Sequence, residues 1–272
     1  MASDSSGSLT VAVAQFAPTT DQGANIEQIA GFVAQAVDRG AELVVFPEYS
    51  SYFSAEMGPD WLAAAEPLDG LFVSELAALA AAQQVHIAAG VVEATDGTHF
   101  SNTIVVVDPA GSLIATSRKL HLYDAFGQRE SDYAVAGDLT DPELFEIAGL
   151  SIGMQTCYDL RFPEVTRRLV DAGADLVLVP SEWVRGPLKE HHWRTLVTAR
   201  ALENTIYVAA ADHSPPIGVG NSMIVDPMGV ALAGIGEETG IALAELSLDR
   251  IEAVREVNPA LSLRRFRVEP IA

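Results

Sequence analysis

Hydrophobic positions in the first half of the chain alternate between strand-like runs and a helical stripe. LTVAVAQFA, from residue 9, consists almost entirely of small and β-branched residues, which is typical of a strand buried on both faces. AELVVFPEYS predicts another buried strand, ending at Pro47. Between them, four apolar residues share one helical face and Gly40 suits the end of that helix. The four residues are Ile26, Ile29, Val33 and Val37.

The pattern continues with another helix and two further strands. LFVSELAALAAAQQ is rich in alanine and leucine and predicts the helix. VHIAAGVVE and NTIVVVDPAGSLIATSRK predict extended segments, and DPAG within the second is a turn signal that joins two arms.

The second half of the chain repeats this plan. LVDAGADLVLVPSEW, residues 169–183, resembles AVDRGAELVVFPEYS, residues 36–50. NSMIVDPMGVALA, from Asn221, resembles NTIVVVDPAGSLIA, from Asn102, with one residue fewer before Asp-Pro. Two related halves, each with helices on one face of a mixed sheet, can bury their bare sheet faces on each other. The prediction is an α/β fold, a four-layer α-β-β-α sandwich of two pseudo-repeated halves. A three-layer doubly wound sheet is the alternative, and the pattern does not predict the strand order.

No Gly/Ser-rich or Pro-rich stretch separates the halves, so we expect a single domain over residues 9–272. The opening residues 1–8, MASDSSGS, predict a flexible tail. They have neither a basic flank nor an apolar stretch and therefore do not resemble a signal peptide.

Charge and cysteine content narrow the range of functions. The net charge is −21, which disfavours binding to nucleic acid or to anionic membranes. No apolar run approaches the roughly 18 residues needed to span a bilayer. The single cysteine rules out an intramolecular disulfide, so no oxidising compartment is required. The expectation is a cytoplasmic protein.

Three residues with suitable chemistry follow three predicted strands: Glu48, Lys119 and Cys157. Ligands in α/β sheets gather beyond the carboxyl ends of strands, so these side chains are candidates for one cleft. Each residue taken alone is more often structural. Together they suit acyl transfer, because a carboxylate can take the thiol proton and an ammonium can stabilise an oxyanion.

Other polar residues near these positions favour structural roles. Arg161 and Glu164 lie at the start of a helix predicted from Pro163 to about Gly173, where a local ion pair is expected. His121 lies two residues from Lys119 and points the same way in an extended segment, which predicts a supporting role. The adjacent histidines of KEHHW point to different sides of a helix and HExxH is absent, so no metal site is predicted.

The motifs FPEYS, RKLHLYD and CYDLRFPE, in that order, resemble those of the nitrilase superfamily of carbon–nitrogen hydrolases. The supporting segments ARALENTIYVAAAD and GNSMIVDPMG are similar too, and the resemblance extends from about residue 9 to residue 265. It implies the duplicated α-β-β-α sandwich and cofactor-free chemistry. CYDLRFPE is closer to the amidase-like branches of the superfamily.

The resemblance implies roles for individual residues. Glu48 corresponds to the general base, Lys119 to the oxyanion-stabilising lysine and Cys157 to the nucleophile, with the backbone N–H of Tyr158 as a second oxyanion donor. Glu130 is the best match for a second glutamate that positions substrate and lysine, although Glu143 and Glu146 lie not far downstream. We expect three further residues to line the substrate pocket: Tyr49, Glu182 and Trp183.

The predicted function is therefore cysteine-dependent hydrolysis of a small linear carboxamide to a carboxylate and ammonia through a thioester. An N-carbamoyl-amino-acid or ureide hydrolase and a nitrilase would use the same triad. A non-catalytic redox-sensing or interaction protein, with Cys157 as a reactive thiol, is the alternative from another class. A sensor thiol, however, needs neither Glu48 nor Lys119.

Members of the superfamily commonly pair, so the predicted partners are a small-molecule amide and further copies of the chain, as a homodimer or higher homo-oligomer.

Overall fold

Two β-sheets packed face to face, with helices outside each, make up the protein. The computed structural model describes residues 7–95 and 97–271. Residues 1–6 of the predicted tail lie outside the described residues, and the first strand begins at Ser8, the last residue of that predicted tail. Within the described residues, no helix is both long enough and apolar enough to cross a membrane.

The first sheet combines strands from the beginning of the chain with one from near its end. Its strands are β1 (Ser8–Gln15), β2 (Leu43–Val45), β3 (His86–Ala94), β4 (Phe100–Val107), β5 (Leu113–Arg118), β6 (Ala134–Val135) and β13 (Gly240–Ser247). The spatial order is β13-β1-β2-β3-β4-β5, with β6 beside β4. β1, β2 and β3 run parallel, whereas β13, β4 and β5 pair antiparallel with their neighbours.

The second sheet repeats this topology. Its strands are β7 (Phe145–Ile147), β8 (Leu150–Met154), β9 (Leu176–Ser181), β10 (Tyr207–Asp212), β11 (Met223–Val225) and β12 (Ala231–Gly234). The order β7-β8-β9-β10-β11-β12 matches that of the first sheet, with β8, β9 and β10 parallel. In this correspondence β7 is the counterpart of β13. In the second sheet, the edge strand β7 directly precedes its partner β8 in sequence. In the first sheet, the equivalent edge strand β13 comes from a segment far from its partner β1.

Helices cover the outer face of each sheet. In chain order the described helices are α1 (Gln22–Val37), α2 (Pro59–Ala64), α3 (Leu71–Gln83), α4 (Pro163–Asp171), α5 (Lys189–Asn204) and α6 (Leu248–Val257). Of these, α6 contributes Ile251 to the cluster between the sheets. α1 and α3 pack on the first sheet, and α4 and α5 pack on the second. The predicted stripe on α1 faces the core, where Ile29 and Val33 are fully buried. The Asp21 side chain caps α1 by accepting from the N–H of Ala24 at 3.0 Å.

The inner faces of the two sheets meet in one apolar cluster. Val11 of β1 and Leu43 of β2 belong to the same cluster as Ile152 of β8 and Leu178 of β9, and all four are buried. This arrangement confirms the predicted four-layer α-β-β-α sandwich, and the three-layer alternative is wrong. Parallel strands at the centre of each sheet direct several strand ends toward one edge, where the candidate site lies.

Candidate active site

One cavity of about 230 Å³ receives side chains from several strand ends. Glu48 follows β2, Lys119 follows β5 directly, Cys157 follows β8 and Glu182 follows β9, and all four line the cavity. Glu130, from the loop before β6, joins them. The three residues predicted to converge on one cleft therefore do so, together with the proposed second glutamate.

Close backbone packing fixes the turn that carries Glu48. Tyr49 has φ of +57°, in the left-handed region that side chains other than glycine rarely adopt. Gly90 of β3 lies against this turn, and a Cβ there would be 2.5 Å from the Cα of Glu48. The carbonyl of Glu48 also lies 2.7 Å from Nε2 of His213, a buried histidine. The position of the Glu48 backbone is thus determined by the neighbouring strand β3 and by His213, which follows β10 of the second sheet.

Cys157 begins a short 3₁₀ helix, Cys157–Arg161, and itself has φ of +44°. Asp159 stabilises this turn because its carboxylate accepts from the backbone N–H of Thr156 at 3.2 Å. The same carboxylate accepts from the backbone N–H of His121 at 2.9 Å and lies 2.7 Å from Nδ1 of that ring. Asp159 therefore links the cysteine turn to the segment that follows Lys119, and His121 contributes to this link.

Lys119 is buried between two carboxylates. Its Nζ donates to Oε1 of Glu48 at 2.9 Å and to Oε2 of Glu130 at 2.8 Å. Asn102 connects the same two carboxylates, donating through Nδ2 to Glu48 at 2.6 Å and to Glu130 at 3.1 Å. These groups are at most 5% exposed, so the network exchanges few interactions with water.

Burial and the neighbouring charges act in opposite directions on the pKa values of this network. Burial lowers the pKa of Lys119, but the carboxylates of Glu130 and Glu48 outweigh it and hold the pKa well above its usual value. Burial likewise raises the pKa of Glu130, but the ammonium of Lys119 and several hydrogen bonds bring the net pKa below the usual range. Both directions favour a charged pair at neutral pH.

The thiol of Cys157 is protonated in this environment. Burial raises its pKa well above the usual value, the charge of Glu48 raises it further, and the charge of Lys119 opposes this only in part. Sγ donates to the carbonyl oxygen of Glu182 at 3.5 Å, and the backbone N–H of Glu182 donates to Oε2 of Glu48 at 2.6 Å. The backbone of Glu182 thus connects the Cys157 thiol to the carboxylate of Glu48 through two hydrogen bonds. A thiol of this kind needs a base when it reacts.

The predicted pocket residues occupy different places. Tyr49 lines the cavity and donates from its hydroxyl to Oε1 of Glu130 at 2.6 Å. Glu182 also lines the cavity, where its Oε1 is buried without a hydrogen-bond partner in the described structure. Trp183 instead contacts a small recess beside Cys157. Of the alternatives to Glu130, Glu143 borders a separate groove and Glu146 is exposed on β7.

The sequence-based reasoning missed two polar residues of the site and misassigned a third. Asn102 and Asp159 were not predicted there, although Asn102 begins a segment that is repeated in the second half. The expected pairing of Arg161 with Glu164 is wrong: among the described ion pairs neither residue has the other as a partner. The Arg161 guanidinium points instead over the Trp183 ring, at 4.8 Å. Within residues 7–95 and 97–271 no group of three acidic, histidine or cysteine side chains suits a metal ion.

The fold and this set of residues define a carbon–nitrogen hydrolase of the nitrilase superfamily. The model of the carbon–nitrogen hydrolase family matches residues 10–256, and the chain belongs to that family. A relative from Escherichia coli O157:H7, deaminated glutathione amidase, is 38% identical over 95% of this chain and 98% of its own. These findings confirm the predicted amidase-like branch and an amidase-type enzyme.

Two solved structures share the architecture. Nit3 from Saccharomyces cerevisiae, from branch 10 of the nitrilase superfamily, has a TM-score of 0.84 and 26% identity, and the match covers 96% of this chain and 97% of Nit3. An amidase variant from Nesterenkonia sp. AN1, in which acrylamide has added to the active-site cysteine, has a TM-score of 0.76 and 25% identity over 94% of this chain and all of its own.

Proposed function

We propose that the enzyme hydrolyses the C–N bond of a small linear carboxamide through a thioester on Cys157. The observation that carries this proposal is the shared cavity in which Cys157 lies with Lys119 and the two carboxylates that hold it. Acyl transfer needs a nucleophile, a base and an oxyanion donor in one site, and this set supplies all three.

In the first half-reaction, the carboxylate of Glu48 takes the proton from the Cys157 thiol as sulfur bonds to the amide carbon. The carbonyl oxygen becomes an oxyanion, stabilised by the ammonium of Lys119 and the backbone N–H of Tyr158. Tyr158 is the second residue of the 3₁₀ helix, so its N–H has no partner within that helix. The C–N bond then breaks, and the proton on Glu48 moves to the departing nitrogen.

In the second half-reaction, Glu48 accepts a proton from water while the hydroxide attacks the thioester carbon. The C–S bond breaks, the sulfur recovers the proton, and the carboxylic acid leaves. Lys119 and Glu130 remain a charged pair throughout, because their mutual attraction maintains both ionised forms. Glu130 therefore acts by positioning Lys119 and supplies no proton.

The size of the cavity and the names of the relatives limit the range of candidate substrates. A cavity of about 230 Å³ is at the small end for ligand pockets, which favours a compact linear amide. A relative that aligns over nearly the whole chain is named for deaminated glutathione, so this compound, a larger amide whose cleavage releases an amine instead of ammonia, is our second candidate substrate.

Ammonia or amine release from amides, measured with wild type and Cys157→Ala, tests the proposal. We expect turnover to disappear in Cys157→Ala while the unfolding midpoint stays near that of wild type. Glu48→Gln removes the base of both half-reactions, so its amide turnover should disappear as well. Full turnover by Cys157→Ala would contradict the mechanism.

A further inference from the structure

Asn102 is a buried amide between the two carboxylates of the site, and it has no role in the chemistry proposed above. It is the third residue of β4 and is only 1% exposed. Its backbone carbonyl accepts from the backbone N–H of Lys119 at 2.8 Å. Its side chain donates through Nδ2 to Oε1 of Glu48 and to Oε1 of Glu130. One residue therefore contacts the lysine and both of its carboxylate partners.

The Asn102 side chain acts only as a donor in this network. An amide NH₂ group has two hydrogens, and the two carboxylates use both of them. Oδ1, in contrast, is buried without a hydrogen-bond partner in the described structure, and an unpaired buried carbonyl is destabilising. The opposite orientation of the amide would place its oxygen against two carboxylates, which would repel it. The arrangement therefore sacrifices the acceptor of the amide and keeps its two donated bonds.

The two oxygens of the Glu48 carboxylate have different surroundings. Oε1 accepts from Nζ of Lys119 at 2.9 Å and from Nδ2 of Asn102 at 2.6 Å. A carboxylate oxygen has two lone-pair positions, so these two donors occupy Oε1 fully. Among the described residues, Oε2 accepts only from the backbone N–H of Glu182, at 2.6 Å, and keeps one position open. The carbonyl of Glu182 accepts from Sγ of Cys157, so the residue that holds Oε2 also contacts the thiol.

We propose that Asn102 is a positioning residue for the general base Glu48. Together with Lys119 it occupies Oε1, and it thereby reserves Oε2 for the proton of the Cys157 thiol. This inference rests on the proposed function. As the S–H bond breaks, an O–H bond forms at Oε2 and a sulfur electron pair forms the C–S bond. The same O–H then gives its proton to the departing nitrogen, and in the second half-reaction Oε2 accepts a proton from water. Asn102 itself neither gains nor loses a proton.

Asn102→Asp and Asn102→Leu test this role, because both keep the approximate size of the side chain and remove the donor. Asn102→Asp brings a second carboxyl group against Oε1 of Glu48, and two carboxylates in such contact share one proton. That proton neutralises the base until the pH is high enough to remove it. The acid limb of the pH profile of kcat/KM should therefore move upward by about 1–3 pH units.

Asn102→Leu leaves one position of Oε1 unoccupied and adds no charge. Its acid limb should move in the same direction by a smaller amount. We expect its kcat to fall about 10- to 100-fold, as for losing a hydrogen bond to a charged group, while KM changes less than about threefold. A side chain that only supported the fold would lower activity equally at every pH.

The other titratable groups around Glu48 are the same in wild type and in both variants. His213 contacts its backbone carbonyl, and Glu130 reaches it through Lys119. Four further groups interact with its charge: Tyr49, Cys157, Glu182 and Asp212. Because none of these is replaced, a shift of the acid limb reports the change at position 102.

Asn221→Asp is the matched control, since Asn221 begins the motif of the second half that corresponds to the motif begun by Asn102. Its Nδ2 donates to the carbonyl of Val219 at 2.7 Å, and its Oδ1 accepts from Nε of Arg194 at 3.2 Å. The same chemical change is thus made away from the carboxylates of the site. The acid limb should stay at the wild-type pH. An acid limb of Asn102→Asp that also stays there, or an Asn102→Leu variant with the kcat of wild type, would overturn the assignment.

Alkylation of Cys157 by iodoacetamide, followed by mass spectrometry, separates this inference from the proposed function. The reaction requires loss of the thiol proton but no amide, so its rate reports how the thiol is deprotonated. The acid limb of the alkylation rate should move upward in Asn102→Asp and stay unchanged in Asn221→Asp. A wild type that hydrolyses no amide but shows this difference would refute the hydrolase and retain the role of Asn102. The same alkylation profile in wild type and Asn102→Asp would refute that role, even in an active amidase.

Discussion

Replacement of Lys119 by methionine tests the electrostatic network of the site. The substitution keeps most of the aliphatic length and removes the ammonium, leaving the carboxylates of Glu48 and Glu130 buried without a counter-charge. Removing one partner of a buried ion pair typically costs about 3–5 kcal/mol. A folded domain has about 5–15 kcal/mol in total, so the variant should lose a large share of its stability.

The loss should depend on pH. In wild type the pKa of Glu130 is lowered on folding, so its stabilisation is present above the unfolded pKa of about 4.3 and is lost as the pH falls through the folded pKa. Without Lys119, only hydrogen bonds such as that from Tyr49 oppose the effect of burial, so the pKa of Glu130 should rise. At pH 7 the variant must then either protonate Glu130 or bury its unpaired charge. The loss of stability relative to wild type should therefore become smaller as the pH falls toward 4.5. The stabilisation linked to the raised pKa of Lys119 is fully present at neutral pH and is lost only in the alkaline range.

Urea unfolding followed by tryptophan fluorescence provides the assay, since Trp61, Trp183 and Trp193 are all buried. Arg129→Gln is the control, because Arg129 pairs with Asp132 at 3.3 Å on the exposed surface, where such a pair contributes about 0.5 kcal/mol or less. Adding Glu130→Gln to the Lys119→Met variant should restore part of the stability. A loss below about 1 kcal/mol at pH 7, or the same loss at pH 7 and pH 5, would refute the reasoning.

Two further substitutions probe the surroundings of the site. Gly90→Ala places a methyl group 2.5 Å from the Cα of Glu48, so we expect a loss of about 1–3 kcal/mol and lower kcat/KM. Gly31→Ala, within α1 with nothing within 4 Å of the added methyl, should instead add about 0.5–1 kcal/mol to the free energy of unfolding, and equal urea midpoints for the two would contradict this contrast. Folding raises the pKa of Glu182, so the protonated folded form loses stability relative to the unfolded chain as the pH rises above about 4.3. Glu182→Gln should therefore be more stable than wild type at pH 8 and similar at pH 4, and an identical difference at both pH values would refute the shift.

The strands and helices that were predicted from sequence are specified by patterns of residues within the elements themselves. The stripe on α1, the proline at the start of α4 and the apolar run before Glu48 each specify structure within a few residues. The pairing of β13 with β1 joins Ser8 to Ser247 and has no such local signal. Periodicity indicates that a segment is extended, but not which distant strand it meets. The order of the strands in each sheet therefore could not be predicted from the sequence pattern and is known only from the structure.

The same limit applies to the site. Glu48, Lys119 and Cys157 lie in motifs and were predicted to converge. Asp159 has no local signal of its role, because its partner His121 lies about 40 positions away, in the segment after Lys119. Arg161 was assigned a neighbour in sequence, whereas its surroundings come from other loops and from α5. Loops bring such side chains together, and their conformations follow from tertiary contacts.

The position of β13 has a consequence for biosynthesis. Residues 240–247 are made after every other strand described in the two sheets, so during translation the outer side of β1 exposes unpaired N–H and C=O groups until this segment has left the ribosome. A nascent chain that stalls before this point presents an open, apolar strand edge to other polypeptides, and such edges promote aggregation. The first sheet is thus completed only after residues 240–247 have been made, and until then its β1 edge remains unpaired.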